Sequence, residues 1–190
     1  MRFALGLSLC LGIAALGQEF QVGGKTADFT LADLHGGKVA ISPGKGDVTV
    51  VTFISTICPV SNNYNTRLND LYRDYSAKGV KFVFINANQN EKPAAVEEHA
   101  RRAGFPFPVY VDVDNVVADR FGAQSTPETF VIGGDGALRY HGRIDDSQNQ
   151  ARVKQNSLRL AIDAVLAGRA VASPETKAFG CTIKRARKTS

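Results

Sequence analysis

Tryptophan is absent and methionine occurs once, as the initiator, so a Met-rich binding groove is excluded. Three cysteines in 190 residues are too few for a disulfide-dense scaffold. No apolar run reaches the roughly 20 residues a membrane-spanning helix needs. His35, His99 and His141 are scattered without metal-ligand spacing, so neither a metal nor another cofactor is expected. A basic face is also missing. The net charge is +5, but Lys177, Lys184, Arg185, Arg187 and Lys188 are confined to the C-terminal end, and without them the chain is neutral. The bias belongs to a tail, and nucleic acid is not an expected partner. What remains is ordinary for a soluble protein: 44% hydrophobic and 22% charged residues. The length suits one domain with a substantial core and excludes two ordinary ones.

Met1-Arg2 begins a short basic start, residues 3–17 are apolar and uncharged, and Ala15-Leu16-Gly17 supplies small residues ahead of Gln18-Glu19. The pattern predicts a secretory signal peptide over 1–17, with an uncleaved anchor as the alternative. Cys10 is preceded by Leu9 where a lipidation site needs a small residue. Cleavage leaves Cys58 and Cys181 in an extracytoplasmic setting, periplasmic or secreted, where disulfides persist. No stable membrane insertion is expected afterwards.

Strand-like pieces at 28–31 and 38–41 flank Gly36-Gly37 and predict an N-terminal hairpin. The continuous β-branched run 47–55, and then 80–87, predict strands buried on both faces. A third strand is expected over 108–113, and a hairpin joins 128–132 to 137–144 across Gly133-Gly134-Asp135-Gly136. Apolar spacing predicts helices over 65–77, 93–103, 115–121 and a long one over 149–166. The alternation requires a parallel sheet with right-handed crossovers, and the late hairpin makes the sheet mixed. The expected organisation is one domain over 18–172 and a tail over 173–190 that carries Cys181.

Thr56-Ile57-Cys58-Pro59-Val60-Ser61 places a thiol between a buried strand and a helix start. Unpaired N–H groups and the helix dipole favour a thiolate there. Pro59, lacking an N–H, suits the first helical turn. The alternative is an inert, buried cysteine. Far along the chain, Ser125-Thr126-Pro127 precedes a strand. Base rates favour a trans proline; a cis bond would instead bend the Thr126 backbone towards Cys58, where its N–H and C=O would suit an extended peptide.

These motifs, TICPVS, STPETFVI and DGALRYHGRIDD, resemble the thioredoxin fold, and more closely its redoxin branch: the alkyl hydroperoxide reductase / thiol-specific antioxidant superfamily with its peroxiredoxin-like relatives. The likeness runs from Asp28 to about Leu166. It implies an α/β three-layer sandwich, a cis bond at Pro127 and thiol redox chemistry at Cys58, with Thr126, Pro127, Pro59 and Ser61 around the substrate. Two departures stand out. The second cysteine of the thioredoxin pair is Ser61, and the proline and threonine that peroxiredoxins place seven and three residues before their cysteine are Val51 and Ser55. Ser55 can replace the threonine as a hydroxyl donor; Val51 cannot replace the proline. Arg139 and Arg143 are the nearest candidates for a peroxide-stabilising arginine.

Cys181 sits in an oddly apolar tail segment, Phe179-Gly180-Cys181-Thr182-Ile183-Lys184, whose Gly-Cys-x-Ile-Lys ending also resembles this branch. A Cys58–Cys181 bond would be either a fixed staple, worth about 4.7 kcal/mol for a loop of about 100 residues, or a redox pair in which Cys181 resolves. A helix-start thiolate is a good leaving group and favours the second. With Phe179 and Ile183 as the only apolar anchors, the tail is expected to loosen on reduction. The functional expectation is a thiol-disulfide oxidoreductase acting on a disulfide-bearing substrate, recycled by a thiol electron donor. The alternatives are a thiol peroxidase acting on a peroxide, and a non-catalytic peptide-binding module. Tyr64 either lines the pocket or packs, His99 is expected in solvent, Asp112 and Asp114 in a loop, and Asp145-Asp146 as a cap of the last helix or turn.

Overall fold

The computed structural model describes residues 20–187. The expected signal segment, with Cys10 and the cleavage point before Gln18, lies outside the described residues, as does Lys188. Nine strands are present among the described residues: β1 Phe29–Ala32, β2 Lys38–Ile41, β3 Thr49–Ile54, β4 Lys81–Asn86, β5 Val109–Val111, β6 Ser125–Thr126, β7 Glu128–Ile132, β8 Leu138–Gly142 and β9 Cys181–Thr182. The α-helices are α1 Pro59–Asn62, α2 Asn65–Ser76, α3 Pro93–Arg102, α4 Val116–Phe121 and α5 Ser157–Leu166. Seven strands form one sheet in the order β2-β1-β5-β4-β3-β7-β8, and β6 and β9 form a separate pair.

The centre of the sheet is parallel. β3 runs beside β4 with Val51 opposite Val83, and β4 beside β5 with Ile85 opposite Tyr110. Both edges are antiparallel, β1 against β2 and β7 against β8, so the sheet is mixed as the sequence requires. All six residues of β3 are buried, because alternate side chains enter two different cores. Val50 and Ile54 face Leu68 and Leu71 of α2, Val96 of α3 and Ile162 of α5. Val51 and Phe53 face Phe121 of α4 together with Phe20, Phe29 and Phe130. Helices on both faces make three layers. Phe121 is met edge-on by Phe20 and Phe29, with ring centroids 4.8 and 5.5 Å apart, an arrangement worth about 0.5–1.5 kcal/mol per pair beyond burial.

Local signals explain the boundaries. Asp33 closes the first hairpin by accepting the N–H groups of His35 and Gly37. Gly79 ends α2 with φ +81°, a conformation that costs a glycine nothing. Pro93 opens α3 at its first turn.

The long helix expected over 149–166 is a correction. Residues Gln150–Arg152 form a 3-10 turn, and α5 begins only at Ser157. Asp146 accepts the N–H groups of Lys154 and Gln155, which holds that stretch out of a helical ladder. Asp112 is corrected too. It is buried and caps α4 by accepting the N–H groups of Val117 and Ala118 at 3.0 and 2.7 Å. Burial pushes its carboxyl up, against the pull of those two donors. His99 is half-buried against Asn65 and Phe105 rather than solvated.

Candidate active site

Cys58 lies just past the carboxyl end of β3, at the N-cap of α1. Its residue is 2% exposed. The N–H of Ser61 points at its sulfur from 3.4 Å, the contact that favours negative charge on the sulfur at a helix start. The Thr126 carbonyl oxygen is 3.4 Å from the same sulfur. The Thr126–Pro127 peptide bond is cis.

Cys58 and Cys181 are joined in a disulfide, with Cα atoms 5.8 Å apart. Cys181 reaches that position because β9 pairs antiparallel with β6, placing Cys181 opposite Thr126 and Thr182 opposite Ser125. Gly180 is obligatory here: a Cβ at this position would overlap the Thr126 carbonyl. Phe179 packs against Tyr64 and Ile183 is buried in the second core.

The tail has more anchors than Phe179 and Ile183. Ile183 donates its N–H to Gln124 O, Lys184 to Asn88 Oδ1 and Ala186 to Asn115 Oδ1. Gln89 N–H returns a bond to Lys184 O. The Arg185 guanidinium meets Asp119 at 2.9 Å and also donates to Ala123 O. Upstream, His141 donates to Pro174 O and accepts from Thr176 N–H. The segment is therefore held on both sides of Cys181. Backbone partners of this kind were invisible to an argument from side-chain hydrophobicity alone.

The residues singled out in the sequence converge on one spot but differ in access. Thr126, Pro127 and Ser61 are buried, whereas Pro59 is exposed beside Cys58. Ser61 Oγ accepts the Ser55 N–H at 3.0 Å, so its hydroxyl is used within the loop. Ser55 Oγ accepts the Cys58 N–H at 3.1 Å and donates to Glu91 at 2.5 Å. Tyr64 packs: its ring lies under Arg67 and its hydroxyl donates to Asp145, and burial with that carboxylate raises its pKa well above the usual range. Asp145 and Asp146 do not cap α5. Asp145 forms a buried pair with Arg67 at 2.6 Å, and Asp146 closes the preceding turn. Arg139 is engaged by Asp135, and Arg143 by Ser157 and Gln155, so both guanidinium groups are spent on other partners.

Two groups of the site are not apparent from sequence. Glu91 is buried and accepts from Ser55 Oγ, Thr56 N–H, Thr56 Oγ1 and Asn86 Nδ2, tying the Cys58 loop to the end of β4. Glu128 accepts the N–H groups of Gln124 and Ser125, both at 2.8 Å, and lies 2.5 Å from His141 Nε2. Burial alone would raise the Glu128 carboxyl, but His141 and the two N–H groups outweigh it and hold it below the usual range. Its place two residues after Thr126 was the only available signal. Among the described residues no cluster of His, Cys, Asp or Glu is placed to hold a metal, and no helix is long and apolar enough to cross a membrane.

Known proteins are similar to this chain in sequence and fold. The thiol-disulfide oxidoreductase ResA of Bacillus thuringiensis (strain Al Hakam) is 29% identical over 135 residues, 71% of this chain and 77% of the relative. ResA of Geobacillus kaustophilus (strain HTA426) is 30% identical over 118 residues, 62% and 67% of the two chains. The crystal structure of an uncharacterized conserved protein from Geobacillus kaustophilus superposes with a TM-score of 0.81 at 32% identity, over 90% of this chain and 95% of the other. A putative thiol:disulfide interchange protein DsbE from Chlorobium tepidum shares the fold, with a TM-score of 0.65 at 22% identity, over 77% and 99% of the two chains. Residues 22–141 match the AhpC/TSA family. With a thioredoxin-like sheet and a cysteine pair beside a cis-proline turn, the chain belongs to the AhpC/TSA family and is a thiol-dependent oxidoreductase.

Proposed function

We propose that the protein is an extracytoplasmic thiol-disulfide oxidoreductase in which Cys58 attacks and Cys181 resolves. The observation that carries this reading is the bond between Cys181 and a buried sulfur that faces the Ser61 N–H. In the reduced protein the Cys58 thiolate attacks one sulfur of a substrate disulfide. The substrate's other sulfur leaves as a thiolate and takes up a proton. The Cys181 thiolate then attacks the Cys58 sulfur of the mixed disulfide, the second substrate thiolate departs, and Cys58–Cys181 forms. The substrate gains two electrons, and two thiols of an external donor restore them.

Thr126 and Pro127 border the sulfur, and Pro59 marks the open side. Ser61 serves the site through its N–H, and Ser55 by holding the Cys58 N–H. An extended substrate segment takes the Thr126 edge that β9 occupies in the oxidised form, so segment and β9 alternate there. The apolar leader over 1–17 supports a location outside the cytoplasm, where the pair is stable as a disulfide. Peroxide reduction ranks below exchange because Val51 stands in place of a proline and Arg139 and Arg143 are engaged elsewhere.

Stopped-flow mixing of the reduced protein with a disulfide-bonded peptide, and separately with hydrogen peroxide, tests this. Exchange with the peptide should be fast, and lost in Cys58→Ser. Peroxide should oxidise Cys58 no faster than a free thiol of the same pKa. Rapid sulfenic acid formation would make the protein a peroxidase, and inertness to both would make it a static module.

A further inference from the structure

Beyond β9 the tail crosses the carboxyl ends of the two strands beside β3. Lys184 donates its N–H to Asn88, just past β4, and Ala186 donates to Asn115, just past β5. Gln89 donates in turn to Lys184 O. This crossing lays Lys184 and Arg187, both exposed, on the end of the sheet that carries Cys58. Lys92 joins them from the loop between β4 and α3. It follows Glu91, whose carboxylate accepts the Thr56 N–H two residues before Cys58, and it is exposed. Among the described residues, Lys92, Lys184 and Arg187 form no ion pair, whereas Arg185 is taken by Asp119. The acids nearby are mostly turned inward. Glu91 and Asp112 are buried and accept from their own loops. Asp114 remains as an exposed acid on this side, and the first turn of α3 has none. Ile57, next to Cys58, is 61% exposed. The surface beside the cysteine is therefore an apolar spot bordered by unpaired cations.

We propose that the substrate is a protein segment with acidic side chains next to its cysteine, and that Lys92, Lys184 and Arg187 select it. The inference rests on the reading of Cys58 as the attacking thiol. A segment in the groove beside Thr126 brings the residues flanking its cysteine towards these cations. The amide bonds of Lys184 and Ala186 do not involve the disulfide, so the cations keep their places when Cys181 is released. A single exposed ion pair contributes little to affinity, because solvent screens it. Several unpaired charges of one sign act instead on encounter rate and register, and they repel a segment of the wrong sign. The selection therefore shows in the rate of exchange, and it fades as salt shortens the reach of the field. Ile57 and Pro59 offer the same apolar contact to every segment, so the discrimination falls to charge.

The experiment mixes the reduced full-length chain with three symmetric disulfide-bonded peptide dimers, identical except for Glu, Gln or Lys on either side of the cysteine. Release of peptide thiol is followed by quenched flow. Each rate is divided by that of the same dimer with 2-mercaptoethanol, which removes the intrinsic effect of the charges on the disulfide. At low ionic strength the Glu dimer should react at least about five-fold faster than the Lys dimer, with Gln between them. The ratio should fall towards one at about 0.5 M salt and should invert in the double variant Lys92→Glu, Lys184→Glu. That variant should reduce the neutral 2-hydroxyethyl disulfide at the unaltered rate, which shows that Cys58 and its loop are intact. Equal rates for the three dimers, a faster Lys dimer, or a preference that survives salt or charge reversal would overturn the proposal while leaving Cys58 as the attacking thiol. Failure of the unaltered chain to react with any of the disulfides, neutral or charged, would refute the exchange reading, and the proposal with it.

Discussion

Cys181 stands directly opposite Thr126 in the β6–β9 pair, and the Thr126 carbonyl lies 3.4 Å from the sulfur to which Cys181 is bonded. The tail therefore lies along the strand-pairing edge beside the Cys58 sulfur, with its own cysteine coupled there. A thiol-dependent oxidoreductase with this geometry carries its second cysteine on a strand remote in sequence, where Ser61 fills the local position.

The Ser61 N–H and the helix start should hold Cys58 below the reference thiol pKa of about 8.5. Alkylation rate against pH on the reduced Cys181→Ser protein gives the value directly. A midpoint at or above the reference would mean that the N-terminal turn does not stabilise the thiolate.

Reduction should leave the far end of the tail in place. The amides of Ile183, Lys184 and Ala186 are bonded to Gln124, Asn88 and Asn115, and those partners do not depend on the disulfide. Hydrogen exchange should show these three amides protected in both redox forms. Loss of their protection on reduction would show that the disulfide alone holds the segment.

Removing the Glu91 carboxylate in Glu91→Ala strands the donors of Ser55, Thr56 and Asn86. At about 1–3 kcal/mol for each buried donor left unsatisfied, urea denaturation should show a loss of roughly 3 kcal/mol or more. Cys58 alkylation should also change, because Ser55 fixes its N–H. A near-neutral variant would mean that water replaces the carboxylate.

Glu128 sets an acid limit on stability. Its carboxyl is held below the usual range in the folded protein by His141, Gln124 and Ser125 against the cost of burial. A depressed folded pKa means that the stabilisation is full above the unfolded value of about 4.3 and is lost as pH falls through the lower folded value. The melting temperature should drop through that window, and Glu128→Gln should flatten the drop. An unchanged slope in the variant would place the acid sensitivity elsewhere.

Much of the fold was legible because hydrophobic period and turn residues act locally. The run over 47–55 predicted a doubly buried strand, and Gly79, Pro93 and Gly133-Gly134-Asp135-Gly136 marked ends and turns that the structure contains. Cys58 beside Thr126-Pro127 was legible through the resemblance of the motifs to a known family. Glu91 was not, because a carboxylate among Asn, Gln and Lys residues has the composition of any polar loop until folding brings Ser55 and Thr56 to it. The break before α5 was missed because Asp146 competes for backbone N–H groups eight and nine residues away. The polar anchors of the tail were not legible, because backbone bonds and the Arg185 contacts carry no hydrophobic signature.

The central claim is that Cys58–Cys181 is a working redox couple, and its equilibrium with a glutathione buffer tests this most directly. Catalytic pairs of this fold equilibrate between about −120 and −270 mV, while structural disulfides lie below about −300 mV. The oxidised and reduced fractions are trapped by acid and alkylation across a series of buffers. A midpoint above about −300 mV is predicted, because the Cys58 thiolate is stabilised in the reduced state. A bond that stays fully oxidised below that potential would contradict the account and leave Cys58–Cys181 a staple.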